Sequence, residues 1–151
     1  MLKTSNISSR QPSPVYSAVY KKDLYEFHKT LGAGSLGTVK SGIVKATGKQ
    51  VAVKIILKTV LRGHNELAER EIKFLATLQH PNIVKLIDWF ESKHSYYIVT
   101  ELALGGELFD RLVQRTFYSE WDAANIIHQL LLAVQYLHNN NVVHRDIKLE
   151  N

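Results

Sequence analysis

The chain has 151 residues, of which 45% are hydrophobic and 22% are charged, the proportions of a packed globular protein rather than a disordered or collagenous one. It contains no cysteine, which excludes a disulfide framework, a zinc-thiolate site, an iron–sulfur cluster and a cysteine nucleophile, and favours an intracellular protein of the cytoplasm or the nucleus. The net charge of +5 is dispersed among acidic residues, so nucleic acid is a disfavoured partner, and no apolar run approaches the roughly 20 residues that span a bilayer.

Residues 1–22 contain two of the three prolines and no acidic residue. We expect a disordered tail there, because Pro12 and Pro14 disfavour the amphipathic helix of a mitochondrial transit peptide, the less favoured alternative. Patterned sequence begins at Asp23, which we take as the start of a first folded unit, residues 23–103.

Alternating and β-branched residues predict five strands in this unit, arranged as an antiparallel sheet. The predicted strands are Leu24–Leu31, Thr38–Val44, Val51–Leu57, Ile83–Phe90 and Tyr96–Thr100. Between the third and the fourth, apolar residues at helical spacing predict one helix, which Asn65 should cap and which should end near His80. Five strands and one helix give an α+β unit.

The pattern becomes helical after Gly105-Gly106. A short helix through Leu108 is predicted first, and then Ser119-Glu120-Trp121-Asp122 forms a capping box that opens a long helix. That helix is apolar almost all round between Ala123 and Leu137, so it needs protein on several sides. Residues 104–151 therefore predict the beginning of a second, α-helical unit.

A glycine pattern, Gly32-x-Gly34-x-x-Gly37-x-Val39, lies between the first two strands. Glycines serve tight turns as often as ligands, so the pattern alone is weak. A dinucleotide-binding fold would open a helix after the last glycine, whereas here Thr38 begins a strand. The glycines are therefore predicted to lie at a hairpin tip whose backbone can cover phosphates.

Two charged residues occupy positions that are predicted to be apolar. Lys54 lies inside the third strand on the same face as Ala52 and Ile56, where an unpaired ammonium is costly. Glu71 lies on the apolar stripe of the helix. An edge-strand lysine reaching water and a solvated glutamate are the alternatives, but an ion pair between the two explains both positions and could hold the phosphates of a nucleotide.

The sequence His144-Arg145-Asp146-Ile147-Lys148-Leu149-Glu150-Asn151 combines a carboxylate, a lysine and a carboxamide within one short loop. These groups can act as a proton acceptor, a phosphate-binding cation and an oxygen ligand for a divalent metal. The alternative is a solvated polar segment without function. This alternative is disfavoured because the glycine pattern and the Lys54–Glu71 pair precede the loop in the chain.

Taken in order, these motifs resemble the protein kinase family from about Tyr25 to Asn151. The phrases His80-Pro81-Asn82-Ile83-Val84 and Gly105-Gly106-Glu107-Leu108-Phe109-Asp110-Arg111 are similar to the calcium/calmodulin-dependent group of Ser/Thr kinases. Lys148, two residues after Asp146, is also typical of the Ser/Thr type. The resemblance implies an N-terminal kinase lobe followed by the first helices of the helical lobe.

The resemblance also implies an ATP site. The matching positions are Leu31, Gly32, Gly34, Gly37, Val39, Ala52, Lys54, Glu101, Ala103 and Glu107. Leu31, Val39 and Ala52 would pack on adenine. Glu101 and Ala103 would hydrogen-bond to it through their backbone, just after a gatekeeper Thr100. Lys54 would hold the α- and β-phosphates, and Glu107 would reach the ribose or an arginine of a substrate peptide.

The implied catalytic residues are Lys54, Glu71, Asp146 and Lys148. By resemblance, Asp146 would accept the proton of a substrate Ser or Thr hydroxyl, Lys148 would steady the transferring phosphoryl group, and Asn151 would bind the Mg²⁺ that accompanies ATP. Glu150 and Glu107 together imply substrates with basic residues near the phosphorylated Ser or Thr.

The resemblance is not complete, and the differences lower the activity that we expect. Leu75, Leu86 and His144 match a spine that couples the helix to the catalytic loop, whereas Leu36 replaces the Phe or Tyr usual at the glycine tip and should loosen the lid. No Asp-Phe-Gly follows Asn151. We therefore expect a truncated form with weak or no activity, and the alternative is a catalytically dead ATP-binding or regulatory module. Calmodulin is expected as a partner only of a longer form.

Overall fold

The computed structural model describes residues 21–115 and 117–149. Most of the predicted tail, residues 1–20, lies outside the described residues, as do Thr116, Glu150 and Asn151.

One five-stranded antiparallel sheet dominates the fold, which confirms the predicted α+β class and strand number. The strands are β1 (Tyr25–Gly34), β2 (Gly37–Val44), β3 (Lys49–Leu57), β4 (Leu86–Glu91) and β5 (Ser95–Glu101). Their order across the sheet is β1-β2-β3-β5-β4, so β3 is central and β4 lies at an edge. Strand β4 begins three residues later than predicted, because the Ile83 amide donates to the His80 carbonyl at 3.2 Å and keeps that segment in a turn.

Apart from a helical segment at residues 21–23, the described residues include α1 (Lys58–Leu61), α2 (Glu66–Thr77), α3 (Leu108–Gln114) and α4 (Glu120–Asn139). The sequence predicted all but α1, a single turn. The prediction that Asn65 caps α2 was wrong, since its side chain makes no capping hydrogen bond and its backbone is already helical. The Asn65 carbonyl accepts from the Glu69 amide at 3.2 Å, so the helical hydrogen bonds begin at this residue.

The face of the sheet opposite α2 is covered by aromatic rings. Phe90 stacks between Tyr25 and Tyr97, with ring centroids 5.6 and 4.7 Å apart. The buried cluster on this face comprises Tyr25, Val51, Val53, Phe90, Tyr97 and Val99. The three valines are 0% exposed, so this face contributes fully buried side chains to the core of the sheet.

The other face of the sheet packs against α1 and α2. Its buried cluster, the helix-side cluster hereafter, comprises Ile56, Leu61, Ala68, Ile72, Tyr96 and Ile98. Partly buried side chains that pack against it are Leu36, Leu75 and Leu86. Because Ala68, Ile72 and Leu75 recur at helical spacing, the apolar stripe of α2 faces the sheet and carries Glu71 with it.

The fold includes two residues that the sequence assigned to the tail. Residues 21–23 are helical, and Lys21 Nζ lies 2.7 Å from Asp88 Oδ1. Tyr25 donates to the other oxygen of Asp88 at 3.0 Å. Burial first, and then the Asp88 carboxylate, raise the pKa of Tyr25 to about 12. Contacts with β4 therefore hold Lys21 on the sheet, two residues before the predicted start of the unit at Asp23.

Helix α4 has the predicted N-terminus and a well-formed C-terminus. The Ser119 hydroxyl accepts from the Asp122 amide at 3.1 Å and donates to the Asp122 carboxylate at 2.8 Å. At the other end, the Val142 amide donates to the Leu137 carbonyl and the Asn141 amide to the His138 carbonyl, both at 2.9 Å. With Asn141 at φ 59°, this is a Schellman motif that uses asparagine in the left-handed position.

The apolar circumference predicted for α4 is largely uncovered among the described residues. Within the helix only Ala133 and Leu137 are buried. The exposed large apolar residues of α4 are Trp121, Ile127, Leu130, Leu131 and Leu132. In the part of the chain that the structure describes, no helix has both the length and the apolarity that crossing a membrane requires.

Candidate active site

The glycine pattern forms a tight hairpin between β1 and β2. Gly34 is paired with Gly37, so Ser35 and Leu36 alone make the turn. A Cβ atom on Gly37 would collide with the Ile55 carbonyl, whereas a Cβ on Gly32 or Gly34 would meet nothing within 4 Å. The turn explanation therefore accounts for Gly37, while the backbone at the two earlier glycines borders open space in which a ligand could lie.

Lys54 and Glu71 form the ion pair that the sequence predicted. Lys54 Nζ donates to both carboxylate oxygens of Glu71, at 2.7 and 2.9 Å. Strand β3 lies between β2 and β5, so the alternative of an edge-strand lysine is excluded. The two side chains are 31% and 28% exposed, which leaves the charged pair accessible from one side.

Sheet register brings Lys54 under the glycine hairpin. Val39 of β2 pairs with Lys54 of β3, and it also pairs with Gly32 of β1. The ammonium group is therefore one strand away from the hairpin that carries the glycines. Such an arrangement combines backbone amides with a fixed cation, the two kinds of group that bind phosphate.

The residues expected around adenine lie near one another in the sheet. Ala52 pairs with Thr100 across β3 and β5, and Val39 lies two residues along β2 from the Ala52 partner Ser41. Leu31 is 45% exposed although it is a large apolar residue of β1. An exposed leucine beside partly buried Val39 and Ala52 provides an apolar surface of the kind that a flat base can cover.

The segment after β5 contains the predicted backbone contacts. The Glu101 amide donates to the Lys85 carbonyl at 3.0 Å, and Glu101 Oε1 accepts from the Lys85 amide at 3.0 Å. Neither of these two hydrogen bonds uses the carbonyl oxygen of Glu101. Ala103 and Glu107 are both exposed, so neither is buried away from a ligand.

The catalytic loop predicted after α4 is described up to Leu149. Lys148 Nζ lies 3.3 Å from Asp146 Oδ2, and the Asp146 amide donates to His144 Nδ1 at 3.3 Å. Arg145 between them has a φ of 67°, an uncommon conformation for a residue with a side chain. The Leu149 carbonyl accepts from the Phe109 amide at 3.0 Å, which ties the loop to α3.

The residues expected to form a spine are only partly brought together. Leu75 and Leu86 pack against the helix-side cluster. His144 instead lines a cavity of about 280 Å³ that Leu137 and Val84 also border.

Some predicted site residues lack a structural account. Glu150 and Asn151 lie outside the described residues. Over residues 21–115 and 117–149, no group of three or more His, Asp or Glu side chains could hold a metal ion.

Sequence reasoning missed one contact in this site. Leu36 at the hairpin tip packs against the helix-side cluster, although hairpin tips are usually polar. The signal available in the sequence was a large apolar residue in the turn Gly34-Ser35-Leu36-Gly37, where the other residues are small. Although leucine is smaller than the Phe or Tyr usual at this position, Leu36 still anchors the hairpin tip, because it packs against this cluster.

Comparison with known proteins agrees with this geometry. A family model described as "Protein kinase domain" matches residues 25–151. This chain belongs to the protein kinase family.

Named protein kinases are close in sequence. The chain is 49% identical over 131 residues to a calcium/calmodulin-dependent protein kinase of Metarhizium anisopliae, covering 87% of this chain and 34% of that protein. It is 51% identical over 131 residues to calcium/calmodulin-dependent protein kinase cmkA of Emericella nidulans, covering 87% of this chain and 31% of the relative. The predicted resemblance to the calcium/calmodulin-dependent group of Ser/Thr kinases is confirmed.

A solved structure is similar in fold. The crystal structure of Rad53 1–466 in complex with AMP-PNP superposes with a TM-score of 0.76 at 36% identity, covering 87% of this chain and 34% of that one. The chain thus spans about a third of the length of the curated relatives named above. The predicted fold, a kinase N-terminal lobe followed by the first helices of the C-terminal lobe, is confirmed.

Proposed function

We propose that this chain carries the nucleotide-binding lobe and catalytic loop of an ATP-dependent protein Ser/Thr kinase. The observation that carries the proposal is the Lys54–Glu71 ion pair, which lies beneath the glycine hairpin and is open on one side. Family membership supports the use of ATP, and the similar Rad53 chain was crystallised with AMP-PNP.

Nucleotide binding would use the groups that converge on this face of the sheet. Adenine packs on Leu31, Val39 and Ala52, and the backbone of Glu101 and Ala103 supplies its hydrogen bonds. Lys54, oriented by Glu71, holds the α- and β-phosphates while the hairpin backbone covers them.

Phosphoryl transfer would use the loop after α4. Asp146 accepts the proton of the attacking Ser or Thr hydroxyl, whose oxygen bonds to the γ-phosphorus as the bond to ADP breaks. Lys148, 3.3 Å from Asp146, steadies the transferring phosphoryl group. Mg²⁺ would neutralise charge on the β- and γ-phosphates, and Asn151 is its proposed ligand in this chain.

Substrates and partners follow from the acidic residues and from the relatives. Glu107 and Glu150 favour peptides with basic residues near the Ser or Thr. The names of the relatives include calcium and calmodulin. We propose calmodulin as a regulator of a longer form of this protein.

Binding of ATP to the 151-residue chain, followed by calorimetry, tests the first half of the proposal. Lys54→Met should weaken ATP binding at least tenfold, since a charge-assisted contact to phosphate is worth about 1.5–3 kcal/mol. Lys58→Met is the matched control, because Lys58 pairs with Glu91 at the same 2.7 Å outside the proposed site. Equal loss in the two variants, or no binding by the unaltered chain, would contradict the proposal.

Transfer of phosphate to a basic Ser/Thr peptide tests the second half. Transfer that disappears in Asp146→Asn supports a kinase. The second candidate is an ATP-binding or regulatory module without catalysis, and the exposed apolar side chains of α4 favour it, because surfaces of this kind mark partner sites. ATP binding without any transfer would support this module.

A further inference from the structure

The tip of the glycine hairpin has one apolar side chain, and that side chain is anchored. Ser35 is exposed, whereas its neighbour Leu36 is half-buried against the helix-side cluster. The turn has only these two residues, since Gly34 and Gly37 already pair with each other. Leu36 is therefore the side chain through which the turn contacts the apolar core.

The cluster that receives Leu36 also fixes the proposed phosphate-binding groups. Ile72 belongs to it and follows Glu71 in α2. Ile56 belongs to it as well and lies two residues after Lys54, on the same face of β3. The hairpin tip, the lysine strand and the glutamate helix thus meet in one packed unit.

The base of the hairpin is held separately from its tip. Gly37 lies against the backbone of Ile55 so closely that a Cβ atom would collide with it. The strand is fixed at that point, whatever residue occupies the tip. On its other side the hairpin borders an open groove of about 350 Å³, lined in part by Ile55, Leu57 and Val60. Leu36 is thus the contact that can set the height of the tip without altering the base.

We propose that Leu36 is a positioning residue, which seats the glycine hairpin on the helix-side cluster and thereby holds the backbone of Gly32 and Gly34 at a fixed height above the Lys54–Glu71 pair. The inference rests on the proposed nucleotide site. It reverses the expectation that a leucine at this position loosens the lid. Leu36 does not touch the nucleotide in this account, and it acts through the backbone of its neighbours.

The expected effect follows from the fraction of molecules whose hairpin is seated. Apparent affinity falls in proportion to the fraction of the binding-competent state. Replacing the half-buried leucine by serine removes enough apolar burial to reduce that fraction to about a tenth. Affinity for ADP should therefore fall by about five- to tenfold, whereas affinity for adenosine, which has no phosphates beneath the hairpin, should change by less than about twofold.

The experiment is calorimetric titration of the 151-residue chain with ADP and with adenosine, in the unaltered protein, Leu36→Ser, Leu36→Met and Val60→Ser. Leu36→Met should restore most of the ADP affinity, because methionine can fill the same apolar site. Val60→Ser is the control, since Val60 is 45% exposed in α1 beside the groove. Amide hydrogen exchange at residues 34–38 should accelerate in Leu36→Ser while exchange in the centre of β3 is unchanged.

The two proposals fail in different ways. If the unaltered chain binds ADP no better than adenosine, the nucleotide site itself is wrong. If that chain prefers ADP and Leu36→Ser keeps the same ratio of ADP to adenosine affinity, the role of Leu36 is refuted and the site stands. Equal weakening of both ligands would show that Leu36 serves general stability only, and would also refute the inference.

Discussion

At the scale of single residues, the position of Lys54 depends on Glu71. Both hydrogen bonds from the ammonium go to that carboxylate, at 2.7 and 2.9 Å. The pair is about 30% exposed at each end, so its contribution to folding is small, on the order of 1 kcal/mol or less. Its main effect is orientation, because without the carboxylate the lysine side chain has many rotamers of similar energy.

Glu71→Gln should therefore reduce ADP affinity more than it reduces stability. We expect affinity to fall about tenfold and the free energy of unfolding to change by less than about 1 kcal/mol. Calorimetric titration and thermal melts measure the two quantities. Glu69→Gln, an exposed change on the same helix, should alter neither, and a large loss of stability without loss of affinity would contradict the prediction.

Tyr25 gives the fold a dependence on alkaline pH. Its pKa is about 12 in the folded protein and 10 in the unfolded chain, so the folded state retains the phenolic proton more tightly. That stabilisation is complete below pH 10 and is lost as the pH rises from 10 to 12. Tyr25→Phe should flatten the decline in unfolding free energy over this interval. Because burial also raises the pKa of Tyr96, a residual slope should remain. Denaturant melts at a series of pH values provide the test, and an unchanged slope in the variant would refute it.

At the scale of elements, patterns within one segment predicted structure well, whereas contacts between segments, apart from the Lys54–Glu71 pair, did not follow from them. Five strands were predictable because alternation and glycine positions are local signals. Asn65 does precede the first residue of α2, but its backbone is already helical and its side chain makes no capping hydrogen bond, which the residue type alone does not reveal. Leu36 packs against a cluster whose residues come from four other elements, so no local pattern contains this contact.

The same distinction applies to the site. Lys54 and Glu71 could be paired from sequence because each was anomalous in its own element, and only a common partner explained both. The Asp88 interactions with Lys21 and Tyr25 had no such signal, since an aspartate in an edge strand is ordinary. The loop at Asp146 was predictable as a motif, but the left-handed backbone of Arg145 was not.

At the C-terminus of α4, two glycine substitutions should change the free energy of unfolding in opposite directions. Asn141 occupies the left-handed position of the Schellman motif, at φ 59°. Glycine adopts this conformation without steric cost, so Asn141→Gly should raise the free energy of unfolding by about 0.5–1 kcal/mol. Asn139→Gly, in the last turn of the helix itself, should lower it by a similar amount. Thermal melts of both variants measure the difference, and shifts of the same sign would contradict this account of the cap.

At the scale of the whole molecule, the two parts of the chain differ in how they are covered. The sheet has packed clusters on both faces. Helix α4 and the segment after it instead expose large apolar side chains, including Trp121 at 75%, Leu131 at 59% and Val143 at 62%. Exposed apolar surface is favourably removed from water at roughly 25 cal/mol per Å².

The 151-residue chain should therefore self-associate through α4. We expect its mass in solution, measured by sedimentation or light scattering at increasing concentration, to exceed that of a monomer. The double change Trp121→Gln and Leu131→Gln should shift the distribution towards monomer, because it replaces two of the most exposed apolar groups of the helix. Leu24→Gln is the control, since Leu24 is similarly exposed, at 53%, but lies next to β1. If the unaltered chain is monomeric at all concentrations, or if the control disperses it as well as the double variant does, the apolar surface of α4 is not the cause of association.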